Sequence, residues 1–272
     1  MKQKSSTHSS IIRYAQAPFL EIRVTDQSDR VYESHAHPTL SIGAMREWKT
    51  SFRTPKGEFL LEEETLVVIE PHLQHSCNPY LGQKRSYVMV FIAYEYGVEL
   101  QKRLFKEASS LLPISTPLIF NKALFEEFMR IITALIQGYD VLHVKAFEAW
   151  FEHFLWLYTK QGEVKTIDAT VEQIAFFLQN RFDEPLSLDE LSKRFSMNPF
   201  VLTRKFKAHF GCTPKHYWLD MRIHHAKTLL ALGMPLSLCA LHCGFVDQSH
   251  FHRFFKRYTA LTPKEYQVNF IQ

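Results

Sequence analysis

The sequence predicts an α+β fold in which a β-rich N-terminal region is followed by helices and then by an all-α C-terminal domain of two helix-turn-helix units. Three observations carry this prediction. Short apolar runs lie at close spacing before residue 93, helical periodicity begins near residue 97, and the last third of the chain contains an internal repeat. A chain of 272 residues is long enough for two domains of ordinary size.

The β-rich runs lie at 19–24, 39–44, 65–69 and 87–92, separated by Pro, Gly and charged turns. Several short strands at this spacing are typical of a small barrel or sandwich.

Two helical stretches follow the strands. The first places Leu124, Phe128 and Leu135 on one stripe, and the second, 141–158, spreads aromatic residues around most of its circumference. Such a helix is buried either against the strands alone or also against a second copy of the chain, which would make the protein a homodimer.

Residues 159–170 are polar and lack periodicity. We therefore predict an N-terminal domain at 1–160, a linker at 161–170 and a C-terminal domain at 171–272. Residues 1–185 carry 20 Lys and Arg against 23 Asp and Glu, whereas residues 186–272 carry 12 against 5. The formal net charge of +4 is thus the sum of −3 on residues 1–185 and +7 on residues 186–272. This asymmetry points to nucleic acid as a partner.

Composition also excludes several classes of protein. No apolar run approaches the roughly 20 residues of a membrane helix, and the polar start MKQKSSTHSS lacks the apolar core of a signal peptide. We expect a cytoplasmic protein with no membrane partner. The four cysteines form no CxxC pair, so we expect reduced, mostly buried thiols rather than disulfides or a zinc knuckle.

The last third of the chain repeats itself at an offset of 49 residues. The matching pairs are Arg204 and Arg253, Phe206 and Phe255, Lys207 and Lys256, Thr213 and Thr262, Pro214 and Pro263, and Tyr217 and Tyr266. Asn198 and Asp247 stand where each repeated helix would begin, and Gly211 and Gly244 stand at turns. The repeat is therefore interpreted as two helix-turn-helix units.

Helical geometry at 100° per residue separates two faces in each repeated helix. Leu202 and Phe206 face inward in the first, as do Phe251 and Phe255 in the second. The outward faces carry Phe200, Thr203, Arg204 and Lys207 in the first helix and Ser249, His252, Arg253 and Lys256 in the second. Arginine can bridge two acceptors on a guanine edge and lysine can contact phosphate, so these faces suit the major groove of DNA. The alternative is a solvated charged surface, which two matching copies in a basic segment disfavour.

The segment 188–266, and GFVDQSHFHRFFKRY within it above all, resembles the DNA-binding domain of AraC/XylS-type transcriptional regulators. The resemblance implies two recognition helices in successive major grooves, joined by a helix at 214–232. It implies promoter DNA and RNA polymerase as partners, with activation the usual outcome. It places base contacts at Phe200, Thr203, Arg204, Gln248, Ser249, His252 and Arg253. Ser196 and Ala260 stand where that family usually has glycine.

The stretches SHAHPTLSIG (34–43) and LVVIEPHLQHSCNP (66–79) resemble the cupin-like effector domain of that family. The resemblance implies a β-barrel that binds a small-molecule effector, followed by helices that dimerise. We expect the effector to contact His35, His37, Arg46 and His75.

His35, His37 and His75 also suggest a metal site, because both histidines of a His-x-His strand face the same side. Metal-binding cupins usually carry a Glu about four residues after the second His, and 38–42 has no carboxylate. We therefore expect no metal, no cofactor and no catalysis. The alternative function is a metal-dependent cupin enzyme, a dioxygenase or isomerase, with a nucleic-acid tethering domain. A third possibility is a constitutive DNA-binding protein whose barrel only dimerises.

Overall fold

A computed structural model describes residues 8–106, 111–160, 168–268 and 270–271. The fold is α+β, as predicted: antiparallel strands and helices form the N-terminal region (8–160), and helices form the C-terminal region (168–268). The strands of the N-terminal region are β1 (His8–Arg13), β2 (Leu20–Ser28), β3 (Leu40–Glu47), β4 (Thr50–Thr54), β5 (Gly57–Leu61), β6 (Leu66–Ile69), β7 (Ser76–Pro79), β8 (Arg85–Ile92) and β9 (Leu118–Ile119). Its helices are α1 (Tyr94–Phe105), α2 (Lys122–Gln137) and α3 (Val141–Tyr158).

The helices of the C-terminal region are α4 (Ala169–Asn180), α5 (Leu188–Arg194), α6 (Pro199–Phe210), α7 (Pro214–Ala231), α8 (Leu236–His242), α9 (Gln248–Thr259) and α10 (Pro263–Val268). The short strand β10 (Phe270–Ile271) then pairs in parallel with β1, so the end of the chain extends a sheet of the N-terminal region. None of the helices within the described residues is long and apolar enough to cross a membrane.

The strands form two sheets, with orders β10-β1-β2-β8-β3-β6-β9 and β5-β4-β7. Side chains alternate between the two faces of the larger sheet. On one face, Ile42 and Val90 join Phe128 of α2 and Phe151 of α3 in the main apolar core, and all four are fully buried. The other face meets the smaller sheet, and a cavity lies between the two sheets.

Helix α7 separates two smaller apolar cores. One contains Leu202 and Phe206 of α6, and the other contains Phe251 and Phe255 of α9. Each helix-turn-helix unit, α5–α6 and α8–α9, therefore packs its own core against the connecting helix.

The predicted strands appear as β2, β3, β6 and β8, and the predicted helix 141–158 is observed with those bounds. The sequence pattern did not separate α1, β1, β4, β5 and β7, because these elements are short or partly exposed and their periodicity is weak. Residues 161–167 of the predicted linker lie outside the described residues. Helix α4 begins at Ala169, where the Asp168 side chain accepts a hydrogen bond from Thr170 N.

Ser196 and Ala260 keep the left-handed turn that glycine would favour. Their φ angles are 48° and 56°, close to the 73° of Gly211 and the 70° of Gly244. The chain thus retains the turn geometry with a Cβ atom present, at a conformational cost that glycine avoids.

Candidate nucleic-acid interface and ligand cavity

Helix α6 presents one apolar face to the core and one polar face outward. The Asn198 side chain caps its first turn by accepting from Phe200 N at 2.9 Å, and proline occupies the first turn. Leu202 and Phe206 are fully buried, whereas Phe200 is 85% exposed. Arg204 and Lys207 are exposed and Thr203 is half-buried.

Helix α9 repeats this arrangement. The Asp247 side chain accepts from His250 N at 2.6 Å, and Phe251 and Phe255 are fully buried. The exposed residues of the helix include Gln248, Ser249, His252, Arg253 and Lys256. The inward faces predicted from helical angles are therefore observed in both units.

Arg222 of α7 joins the two units, a role that the sequence did not reveal. Its guanidinium donates to the carbonyls of Phe182 and Gly244, each at 2.5 Å, and stacks on Trp218 at 3.5 Å from the ring centre. Because Gly244 forms the turn of the second unit and Phe182 follows α4 beside the first, this side chain fixes the units relative to one another. Burial lowers the pKa of Arg222 to about 10, so it stays charged at neutral pH.

A cavity of about 60 Å³ lies between the two sheets. One water requires about 10–15 Å³, so this space admits a few waters or one small molecule. Strand residues form most of the lining, and the C-terminal region contributes Lys227, Tyr258 and Thr259. The cavity is therefore shared between the two regions of the chain.

His35, His37 and His75, the histidines expected to contact an effector, all line this cavity. Their ring centres lie 4.6, 5.0 and 6.3 Å apart. Their Nδ1 atoms contact the backbone carbonyls of Glu33 at 2.8 Å, Thr39 at 3.1 Å and Leu73 at 2.8 Å, respectively. Burial lowers the pKa of each ring, to about 4 for His75, so all three are neutral at neutral pH.

Three cationic side chains line the same cavity: Arg23, Arg85 and Lys227. Among the described residues that line it, none is a carboxylate. Arg23 Nη2 donates to Thr259 O at 3.0 Å, while Arg23 Nε is buried without a partner. Burial lowers the pKa of Lys227 to about 8, which leaves its ammonium mostly protonated at neutral pH.

The expectation for Arg46 is corrected by the structure. Consecutive side chains of a strand face opposite sides, and Met45 occupies the cavity wall. Arg46 is exposed and pairs with Asp26 at 2.8 Å, so it does not belong to the cavity lining. Arg23 takes its place, and the signal for it is a charged residue between Ile22 and Val24 in an apolar strand.

The described cysteines are free thiols and most are buried, as expected from the sequence. Cys239 and Cys243 are fully buried. Burial raises the pKa of Cys77 to about 12, so this thiol is protonated and poorly nucleophilic at neutral pH.

The described residues contain no cluster of three or more His, Cys, Asp or Glu side chains arranged to hold a metal ion. The chemistry of the cavity also disfavours a metal cation, because Arg23, Arg85 and Lys227 would repel it and no lining carboxylate offsets their charge.

The two regions also meet outside the cavity. Arg257 of α9 forms a bidentate pair with Glu33 at 2.8 and 2.6 Å, and Arg30 pairs with Glu265 of α10 at 2.9 Å. The N-terminal region therefore contacts the second helix-turn-helix unit directly.

A family described as a helix-turn-helix domain matches residues 191–269, which hold both units. The chain is 26% identical to the HTH-type transcriptional regulator YbfI of Bacillus subtilis over 231 residues, covering 80% of this chain and 81% of YbfI. It is 30% identical to the HTH-type transcriptional activator RhaS of Escherichia fergusonii over 148 residues, covering 52% and 53% of the two chains. These matches show that the chain is similar to AraC/XylS-type transcriptional regulators. The match spans about half the length of RhaS and of a further regulator, YdiP of Escherichia coli.

Similarity to a solved structure extends over both regions of this chain. ToxT from Vibrio cholerae, in a crystal structure with bound unsaturated fatty acid, superposes with a TM-score of 0.64 at 14% identity. The superposition covers 98% of this chain and 97% of ToxT. At this identity the likeness establishes the shared fold.

Proposed function

We propose that this chain is a sequence-specific transcription factor of the bacterial cytoplasm, not an enzyme, whose binding to promoter DNA is controlled by a small-molecule effector in the cavity. The observation that carries the DNA-binding proposal is the matched pair of outward faces on α6 and α9 within a segment of charge +7. Two such helices in one chain can read two successive major grooves.

The base contacts proposed for these helices are made by Phe200, Thr203, Arg204, Gln248, Ser249, His252 and Arg253. Lys207 and Lys256, one turn further along each helix, are proposed to contact phosphates. The +7 charge of the segment favours association with DNA in general, and the side chains that reach base edges supply sequence preference.

Control by an effector is supported by the position of the cavity. Arg23, His35, His37 and His75 come from the N-terminal region, whereas Lys227 belongs to the helix that connects the two DNA-binding units. A ligand that contacts both sides binds one relative arrangement of the regions more tightly than others and shifts the population toward it. The fatty acid in ToxT shows that a protein of this fold accommodates a ligand.

We also propose that the protein forms a homodimer through α3. Leu142, Ala149 and Trp156 are spaced by seven residues and therefore lie on one helix face. Leu142 and Trp156 are 67% and 62% exposed. Sedimentation of the full chain should give a dimer, and Trp156→Glu should give a monomer. A wild-type monomer at all accessible concentrations would contradict this part of the proposal.

Activation through contact with RNA polymerase is the proposed outcome at target promoters, in line with the activator name of RhaS. The decisive experiment maps binding of the purified full chain across fragmented genomic DNA and then measures transcription from the bound promoters in vitro. Discrete sites with a shared sequence pattern, absent for an Arg204→Ala/Arg253→Ala double variant, are expected. Uniform binding that the double variant retains would exclude sequence-specific recognition.

A further inference from the structure

Beside hydroxyl groups, which can both donate and accept, the cavity lining contains polar side chains with a fixed hydrogen-bonding role. Its cations are donors only: Lys227 has three N–H groups, and Arg23 has an Nε that is buried without a protein partner. Within the described residues, neither side chain forms an ion pair with a carboxylate. Glu21 acts on both charges and Asp220 acts on Lys227, but neither carboxylate is among the residues that line the cavity. On the cavity side the two cations face no negative charge, so this wall is complementary to an anion.

The histidines form the acceptor wall. A backbone carbonyl can only accept a hydrogen bond, so Nδ1 of His35 and Nδ1 of His75, which contact only such carbonyls, must carry the donated proton. Nδ1 of His37 also lies 3.0 Å from the Thr39 hydroxyl, which can donate to it, so His37 is not assigned to this wall. In a neutral ring the other nitrogen, Nε2, then carries a lone pair and can only accept. No Nε2 of His35, His37 or His75 has a protein donor among the described residues. His35 and His75 therefore offer two acceptors to the cavity.

An anion alone would leave these acceptors unpaired, because a carboxylate has no hydrogen to donate. A neutral polyol would satisfy them but would leave the cations without a counter-charge. A long alkyl chain would satisfy neither wall, and the volume of about 60 Å³ is small for one. The ligand that satisfies both walls is small, carries a negative charge and has hydroxyl groups.

We propose that the effector is a small hydroxylated anion whose charged group binds Lys227 and Arg23 Nε and whose hydroxyls donate to His35 and His75. This assignment rests on the proposed function, because it takes the cavity to be the effector site. The charged group belongs to a hydroxycarboxylic acid or to a phosphate ester of a polyol, two sources of the same chemistry.

Matched sets of ligands test the assignment. Each set contains a hydroxylated acid, the acid without hydroxyls and the uncharged polyol: glycerate, propionate and glycerol; tartrate, succinate and threitol; gluconate, hexanoate and sorbitol. Glycerol 3-phosphate is added as the phosphate ester. Binding to the full chain is measured by thermal shift and by isothermal titration calorimetry.

At least one hydroxylated anion should raise the melting temperature, and the two partners in its set should bind at least tenfold more weakly. Tighter binding of glycerol 3-phosphate than of every hydroxy acid would assign the phosphate ester. A panel in which the best ligand is a deoxy acid or a polyol overturns the proposal, and so does a panel without any binder.

Substitutions test whether Lys227 determines the preference for charge and whether the histidines determine the preference for hydroxyl groups. Lys227→Met should reduce affinity for the acid at least tenfold without weakening the polyol, and Lys227→Arg should retain the preference for charge. Lys215→Met, an exposed lysine on the same helix, is the matched control and should change neither. His75→Phe should abolish the preference for hydroxyls, while His75→Gln keeps an acceptor and should retain part of it. Unchanged preferences in folded Lys227→Met and His75→Phe would overturn the assignment.

The ligand class and the effector role fail in different ways. If a hydroxylated anion binds but leaves affinity for the target promoter unchanged, the ligand class stands and control by an effector fails. If promoter affinity responds only to a deoxy acid or a polyol, control stands and the ligand class is wrong.

Discussion

Gln74 Nε2 donates a 2.8 Å hydrogen bond to the carboxyl group of Asp220, and this contact joins the N-terminal region to the helix between the two DNA-binding units. Asp220 Oδ2 also accepts from Ala36 N at 3.2 Å, whereas Asp220 Oδ1 is buried without a partner. Burial raises the pKa of Asp220 well above its ordinary value. Burial therefore favours the protonated acid and outweighs the two hydrogen bonds, which favour the ionised form.

The raised pKa predicts how Asp220→Asn changes the pH dependence of stability. The folded state holds the Asp220 proton more tightly than the unfolded state, so its stabilising effect is full below about pH 4 and is lost as pH rises through the raised pKa. Asparagine keeps an acceptor for Gln74 and does not ionise. The melting temperature of Asp220→Asn minus that of the wild type should therefore increase as pH rises from 5 to 9.

The comparison with the wild type is needed because other ionisable groups also surround Asp220. They are His216, Cys212, Tyr217, Tyr258 and Lys227. These groups are present in both proteins, so their effects largely cancel in the difference. A difference in melting temperature that stays constant from pH 5 to 9 would show that Asp220 does not titrate as described.

Arg204→Ala and Arg253→Ala should each weaken binding to a target promoter by about 1–3 kcal/mol and relax preference at particular base pairs. Lys205→Ala is the matched control, because Lys205 lies beside Arg204 but pairs with Asp168 at 2.8 Å. Quantitative footprinting over a set of mutated sites measures both effects. Equal footprints for the two arginine variants and Lys205→Ala would contradict the assigned faces.

Lys207→Ala should weaken binding to all sequences alike, since a phosphate contact carries no base preference. The slope of log K against log salt should become shallower by about 0.9, because the variant neutralises one phosphate fewer. Titrations of target and random duplexes over a range of salt concentrations measure this slope. A sequence-selective loss of affinity would instead assign Lys207 to base contact.

Ser196→Gly should stabilise the chain by about 1 kcal/mol, because Ser196 is exposed and holds a φ of 48° that glycine adopts without penalty. At the other turn, Gly244→Ala should strongly destabilise the chain, since the new Cβ would lie 2.2 Å from Asp183 O. Urea unfolding followed by circular dichroism measures both changes. Loss of stability in Ser196→Gly would show that this turn is not strained.

Arg222→Met should destabilise the C-terminal region by about 1.5–3 kcal/mol, because four backbone carbonyls lose a charged donor. These carbonyls belong to Phe182, Asp183, Glu184 and Gly244. Arg222→Lys keeps the charge but not the planar fork and should recover only part of the stability. If Arg222→Met unfolds in urea at the same midpoint as the wild type, Arg222 does not join the units.

Local periodicity in the sequence predicted much of the secondary structure and many of the buried positions. The inward positions of Phe206 and Phe255 and the bounds of α6 follow from a 3.6-residue repeat and from capping residues, which act within one or two turns. The 49-residue offset likewise identified both DNA-binding units and the exposed faces proposed to read bases. His35, His37 and His75 were found from their spacing and their place in a barrel motif.

Only the tertiary structure decided what else surrounds the cavity. Lys227 reaches it from a helix that is distant along the chain from Arg23, and Arg222 finds its carbonyl partners on other segments. Arg46 was misassigned because strand alternation turns it outward beside Met45. Contacts between distant segments depend on how whole elements pack, and no local period in the sequence records that packing. The sequence by itself therefore determined the fold and the two exposed helix faces, and the packing of the two regions decided which charges meet in the cavity.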